Sequence, residues 1–301
     1  MIQSFIPCHP RAWLHHSLGV EELLRLIGPA ACRDETTRTW LERARPFVIM
    51  ACLQARKRTI FAEREWIVMP WSDSGVRKPD IEYLIDIFTD LPTALFGQQD
   101  ILTSAHCGSK HSPHQRITID EGEVCLIIQR LQYWKSAMLQ RPGKSLFDSR
   151  ADLDSNEHLP RGLPYYYLDY ATPFALYAAV CTITLNAGFS DTLQTSHRER
   201  CTGQAASSSE TSTTFQWDTD ESQHHNILQW YHSLLVDACS LARYYMSCKG
   251  MVPQPSDILV SLRQVWMTTR HLNCTLAMQL GSVMAQIMDD SEAGLPLFLY
   301  T

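Results

Sequence analysis

The sequence predicts an all-α protein, a single helical domain of about seven to nine helices spanning residues 1–301. Three observations predict it. Apolar residues recur at spacings of three and four in at least six segments. No stretch of convincing length alternates apolar and polar residues in the two-residue period of a strand. Gly and Pro fall where the helical patterns stop, as at Gly28-Pro29 and Pro142-Gly143.

The elements follow in order. Val20, Leu23, Leu24 and Ile27 mark one face of a first helix. Trp40, Leu41, Ala44, Phe47, Val48, Ala51, Cys52 and Ala55 mark a second over 36–58, where Pro46 predicts a kink or a fresh start. Arg56-Lys57-Arg58 closes it, because positive charge suits the carbonyl-rich end of a helix. Residues 63–71 read as a short helical turn with Trp66 and Trp71 packed inward. Pro79 opens a helix over 79–91 with Ile81, Leu84, Ile85 and Phe88 as its stripe. Residues 103–118 read as a polar loop. A helix over about 120–140 buries Val124, Ile127, Ile128, Leu131, Trp134 and Met138.

From Ala171 to Phe189 the sequence carries no charge. Its length admits a membrane span. Pro173, three threonines, Asn186 and the lack of a flanking basic bias favour a buried core helix and no membrane. Residues 190–226, with their Ser/Thr-rich run, read as a long mobile loop. Two strong helices close the pattern, Ile227–Cys248 and Ile258–Met288, separated by Gly250 and Pro253. No fixed-period repeat supports a solenoid.

Composition narrows the function classes. Hydrophobic residues at 45% supply a sizeable core. The 26 basic side chains are outnumbered by 32 acidic ones, which disfavours attraction to phosphate backbones. Ten cysteines are scattered without a CxxC pair, and no secretory leader pattern opens the chain. They read as reduced thiols acting as small hydrophobes.

Chemistry-bearing clusters are few. His106, Cys107, His111 and His114 hold suitable zinc-ligand types, but lack a second pair at finger spacing. The pairs His15-His16 and His224-His225 point about 100° apart on a helix and do not share a metal. Asp289-Asp290-Ser291-Glu292 resembles the acidic motif of helical terpene-forming enzymes, but too few residues follow for the second motif. There is no GxGxxG turn, P-loop, GxSxG elbow or HExxH. The sequence therefore designates no catalytic, cofactor-binding or metal residue, and no cofactor is expected.

The order "WLHHSLGVEELLRLIGP", "RPFVIMACLQARKRTIFAEREWIVMPW", "KPDIEYLIDIFTDLP" resembles the regulatory domain of fungal zinc-cluster transcription factors. Trp13, His16, Gly19, Gly28, Pro29, Trp66, Pro70, Trp71, Lys78, Leu91 and Pro92 match that order. The match is close over 13–92 and looser beyond. The resemblance implies a helical, non-catalytic regulatory module. It implies nuclear location (otherwise cytoplasmic), protein partners or a homodimer, and a link to a metabolic or secondary-metabolite gene cluster. The family's six-cysteine DNA-binding module is missing: Cys8 and Cys32 stand alone in the first fifty residues. Direct specific DNA binding by this chain alone is not expected. The alternatives are a helical enzyme with an unrecognised site, or a truncated product without independent function.

Overall fold

The computed structural model describes residues 10–72, 75–105, 121–140, 166–201, 220–247, 256–272 and 274–289. The protein is all-α. Among the described residues there are nine α-helices and no strand. They are α1 (Pro10–Ile27), α2 (Glu35–Gln54), α3 (Arg64–Val68), α4 (Asp80–Ala105), α5 (Glu121–Leu139), α6 (Tyr166–Cys201), α7 (Asp220–Ser247), α8 (Ser256–Thr269) and α9 (Thr275–Asp289). Within the span read from sequence as one domain, they group into two compact units. The first holds α1 to α5, the second α6 to α9.

In the first unit α1 packs on α2, α2 on α4, and α4 on α5. The turn from α1 to α2 explains Gly28-Pro29. Gly28 donates its N–H to the Leu24 carbonyl and adopts φ 78°, a conformation that costs a side chain but not glycine. Pro29 then opens a 3₁₀ turn, Pro29–Arg33. Asp34 caps α2 by accepting the Thr37 N–H at 3.0 Å, which lowers its own carboxyl pKa. Trp66 and Trp71 are buried as the spacing predicts, Trp66 edge-on to Phe61 at 5.6 Å. All six stripe residues read on α5 are buried.

The basic knot divides into three roles. Ala55 ends α2, and Arg56 takes the left-handed conformation at φ 54°. The Arg56 N–H reaches the Leu53 carbonyl at 3.2 Å, and the Lys57 N–H reaches Cys52 at 3.0 Å. Those two bonds close the helix end as a Schellman motif, with arginine where glycine is favoured. The Lys57 ammonium turns to Glu21, and Arg58 is exposed. Arg56→Gly is expected to raise stability by about 0.5–1 kcal/mol, because it removes the left-handed strain. Urea denaturation checks it, and a destabilised glycine variant contradicts it.

Several boundaries differ from the sequence reading. α4 does not stop at Leu91-Pro92 but runs on to Ala105. Leu91, Pro92 and Phe96 are buried, so packing holds the helix across a residue that lacks an N–H. Residues 103–105 are thus helical, and 106–118 lie outside the described residues. The expected loop over 190–226 is helical at both ends, where α6 reaches Cys201 and α7 starts at Asp220. Its Ser/Thr-rich run lies outside the described residues. The expected helix over 258–288 is two helices, with a 3₁₀ turn at Arg270–Leu272 and Cys274 accepting the Ala277 N–H at the start of α9.

In the second unit α6 packs on α8 and α7, and α7 on α9. Ala171–Phe189 is long and apolar enough to cross a membrane, and 67% of it is buried. Two of its threonines bond within the helix, whereas the buried Asn186 Oδ1 has no hydrogen-bond partner. Thr182 and Thr184 donate to the carbonyls of Ala179 and Val180 at 3.0 and 2.8 Å. A kink at Phe189 (φ −130°, ψ 27°) ends the run.

Candidate functional site

The densest chemistry lies in the first unit, around Arg45, Glu82 and Asp86, which the sequence analysis did not single out. Leu41, Arg45, Val48 and Cys52 form one inward stripe of α2, and Arg45 is fully buried within it. On α4, Glu82 and Asp86 sit one turn apart and face the guanidinium. Arg45 donates to Glu82 at 2.5 Å and to Asp86 at 2.8 Å. Lys78, one turn before Glu82 in sequence, donates to the other Asp86 oxygen at 2.5 Å and to the Ile67 carbonyl at 3.0 Å.

Aromatic rings enclose the cations. The Arg45 guanidinium lies 5.7 Å from the Phe61 ring centre and 5.4 Å from that of Trp71. The Lys78 ammonium lies 4.1 Å from Trp71 and 5.3 Å from Tyr83. Two cations meet two carboxylates, so the cluster is neutral in sum. Burial pushes the Glu82 carboxyl up to about 7, against the pull of Arg45; Glu42 and Asp86 add to the rise. Burial lowers the Lys78 pKa, against the pull of Asp86.

A second buried charge holds the other end of α2. Glu21 of α1 is fully buried. It accepts the Ile60 N–H at 3.0 Å, the Lys57 ammonium at 2.5 Å and the Cys52 thiol at 3.5 Å. Burial, then the Glu21 charge, pushes the Cys52 thiol up to about 12, which keeps it from acting as a nucleophile. On the rim, Arg130 of α5 pairs with Asp90 of α4.

Both clusters are ion pairs among helices, with the Arg45 Nε left buried without a hydrogen-bond partner. Their polar groups point at one another, and their chemistry is to fix the register of α1, α2 and α4. The motif residues join this frame. Trp66, Pro70, Trp71, Lys78, Leu91 and Pro92 are buried, whereas His16 and Gly19 are exposed. No atom lies within 4 Å of a Cβ built on Gly19, so packing does not explain that glycine.

Most of the metal candidates read from the sequence lie outside the described residues. His15 and His16 are exposed on α1. His106, Cys107, His111 and His114 lie outside the described residues, as do Asp290, Ser291 and Glu292. Asp289 ends α9, and His224-His225 lies within α7. Among the described residues no group of three or more His, Cys, Asp or Glu could hold a metal ion. Six described cysteines are thiols, four of them buried.

A signal for the Arg45 cluster does exist in the sequence. Lys78, Glu82, Asp86 and Asp90 repeat every four residues beside an apolar stripe, and Arg45 stands in the register of Leu41 and Val48. Comparison with family models, with curated proteins and with solved structures gives no match for the chain.

Proposed function

We propose that the chain is a non-catalytic, transcription-regulator-like protein of the kind represented by the regulatory domain of fungal zinc-cluster factors. On this reading it works in the nucleus through protein partners or as a homodimer, in the control of a metabolic or secondary-metabolite gene cluster.

One observation carries the reading. The residues that match the family pattern between Trp66 and Pro92 are all buried, Lys78 is a member of the Arg45–Glu82–Asp86 cluster, and Trp71 lies against both of its cations. A shared motif made of framework residues fits a regulatory scaffold better than an active site, whose motif residues would converge on a substrate. The Arg56-Lys57-Arg58 knot supports the same view, since Lys57 is committed to Glu21.

The test is to tether the full chain to an unrelated DNA-binding module upstream of a reporter. A change in reporter output of several-fold is expected, and no change from an expressed, folded fusion counts against regulation. The untethered chain is expected to give no sequence-selective gel shift, because its net charge of −6 opposes phosphate contacts. A selective shift that survives unrelated competitor DNA contradicts the partner-dependent reading. A weak shift erased by modest salt is only nonspecific charge binding.

A further inference from the structure

In the second unit, α8 and the 3₁₀ turn that extends it carry Arg263, Trp266 and Arg270 at spacings i, i+3 and i+7. Those spacings place all three on one face. The two arginine Cα atoms stand about 10 Å apart along the axis, within reach of converging side chains. The Arg270 guanidinium lies over the Trp266 ring, 5.8 Å from its centre. Trp266 is itself fixed from beneath. A Cβ at Gly281 of α9 would lie 2.7 Å from the indole nitrogen, so only glycine lets α9 approach this closely.

Arg263 differs from Arg45 in its surroundings. It is half-buried, and its Nε, like that of Arg45, is buried without a hydrogen-bond acceptor. Among the described residues no carboxylate pairs with Arg263 or Arg270. Burial, then the Arg270 charge, draws the Arg263 guanidinium down to about 10. The contrast with Arg45 is direct: there two carboxylates meet one buried guanidinium, and here the charge of a second guanidinium acts on the first. A buried donor left without an acceptor costs stability, and like charges at this range repel.

We infer that Arg263 and Arg270, with Trp266 as the wall between them, form a binding site for a small oxyanion, the phosphoryl or carboxylate group of a small molecule. The forked guanidinium donors suit planar or tetrahedral oxyanions, and a ligand bearing several such oxygens can bridge the pair. An anion held by the outer guanidinium nitrogens cancels the repulsion. The site stands independently of the regulatory reading above.

The experiment is calorimetric titration of the full chain with pyrophosphate and, in parallel, with citrate, at constant ionic strength. Saturable binding of at least one is expected, and the preferred probe tells phosphoryl from carboxylate. Arg263→Gln and Arg270→Gln are each expected to weaken binding by tenfold or more. Arg25→Gln, an exposed arginine of α1, is expected to leave it unchanged. Without ligand, Arg263→Gln should melt at the wild-type temperature or higher, because it removes an unmatched buried donor. Should that variant fail to fold, Arg270→Gln carries the same comparison from an exposed position. Absence of saturable binding for both probes overturns the inference. So does binding that survives both substitutions.

Discussion

Arg45→Met is expected to destabilise the first unit by about 3–5 kcal/mol, because it leaves Glu82 and Asp86 buried with one cation fewer. Lys78 still neutralises Asp86, so the larger part of the loss falls on Glu82, which is about 1% exposed. Arg45→Lys should recover less than half, since one ammonium cannot bridge two carboxylates as the fork does. Arg45→Met combined with Glu82→Leu should recover more than either change alone predicts, because burying no charge costs less than burying half a pair. Urea denaturation measures all three. A single Arg45→Met variant as stable as wild type would falsify the account of this cluster.

The same variants carry a pH signature. Glu82 titrates near 7 in the fold and, as an ordinary glutamate, near 4.5 when unfolded. Between those values the folded state holds a proton that the unfolded state lacks. Stability therefore falls as pH rises from 4.5 to 7 on account of this group, and its full benefit is present below 4.5. Removing Arg45 removes the charge that restrains the carboxyl. The window should then extend above pH 7, and the variant should regain stability on acidification more steeply than wild type. A flatter profile would contradict the assignment.

Glu21→Leu is expected to cost about 2–4 kcal/mol, because the buried Ile60 N–H loses its acceptor. Lys57 is about one-third exposed and can turn to water, so its loss of a partner matters less. Glu21→Gln keeps an acceptor for Ile60 and should recover roughly half of the loss. Equal losses in the two variants would show that the charge, not the acceptor, matters at this position.

These two residues also mark where the sequence is hard to read. The helices themselves are legible, because the 3.6-residue period in α5 and α7 survives any choice of neighbours. Val124, Ile127, Ile128, Leu131, Trp134 and Met138 are all buried as that period requires. On α1 the period misleads. The stripe Val20, Leu23, Leu24 and Ile27 suggests one inward face, yet Leu23 and Ile27 are exposed and Ser17, Glu21 and Leu24 face in. A glutamate reads as solvent-facing from sequence, because burying it is expensive until its partners are known. Those partners, at 52, 57 and 60, are fixed only by the fold. Trp40 fails in the opposite sense: it belongs to the apolar pattern of α2 but is exposed. Helix ends are lost where packing overrides local signals, as at Pro92. The break before α9 shows the converse, a stop without a Gly or Pro to announce it.

The separation of the Arg45 partners has a consequence for how the chain is made. Glu82 and Asp86 follow Arg45 by 37 and 41 residues. At about 5–20 residues per second, a ribosome delivers them roughly 2–8 seconds after the arginine. Phe61 and Trp71 emerge earlier, so the aromatic walls are ready before the counter-ions. Until α4 leaves the tunnel, Arg45 must stay hydrated and the inward stripe of α2 stays open. The ion cluster therefore acts as a checkpoint during synthesis: α1 and α2 can pair early, but their core cannot seal around a lone guanidinium.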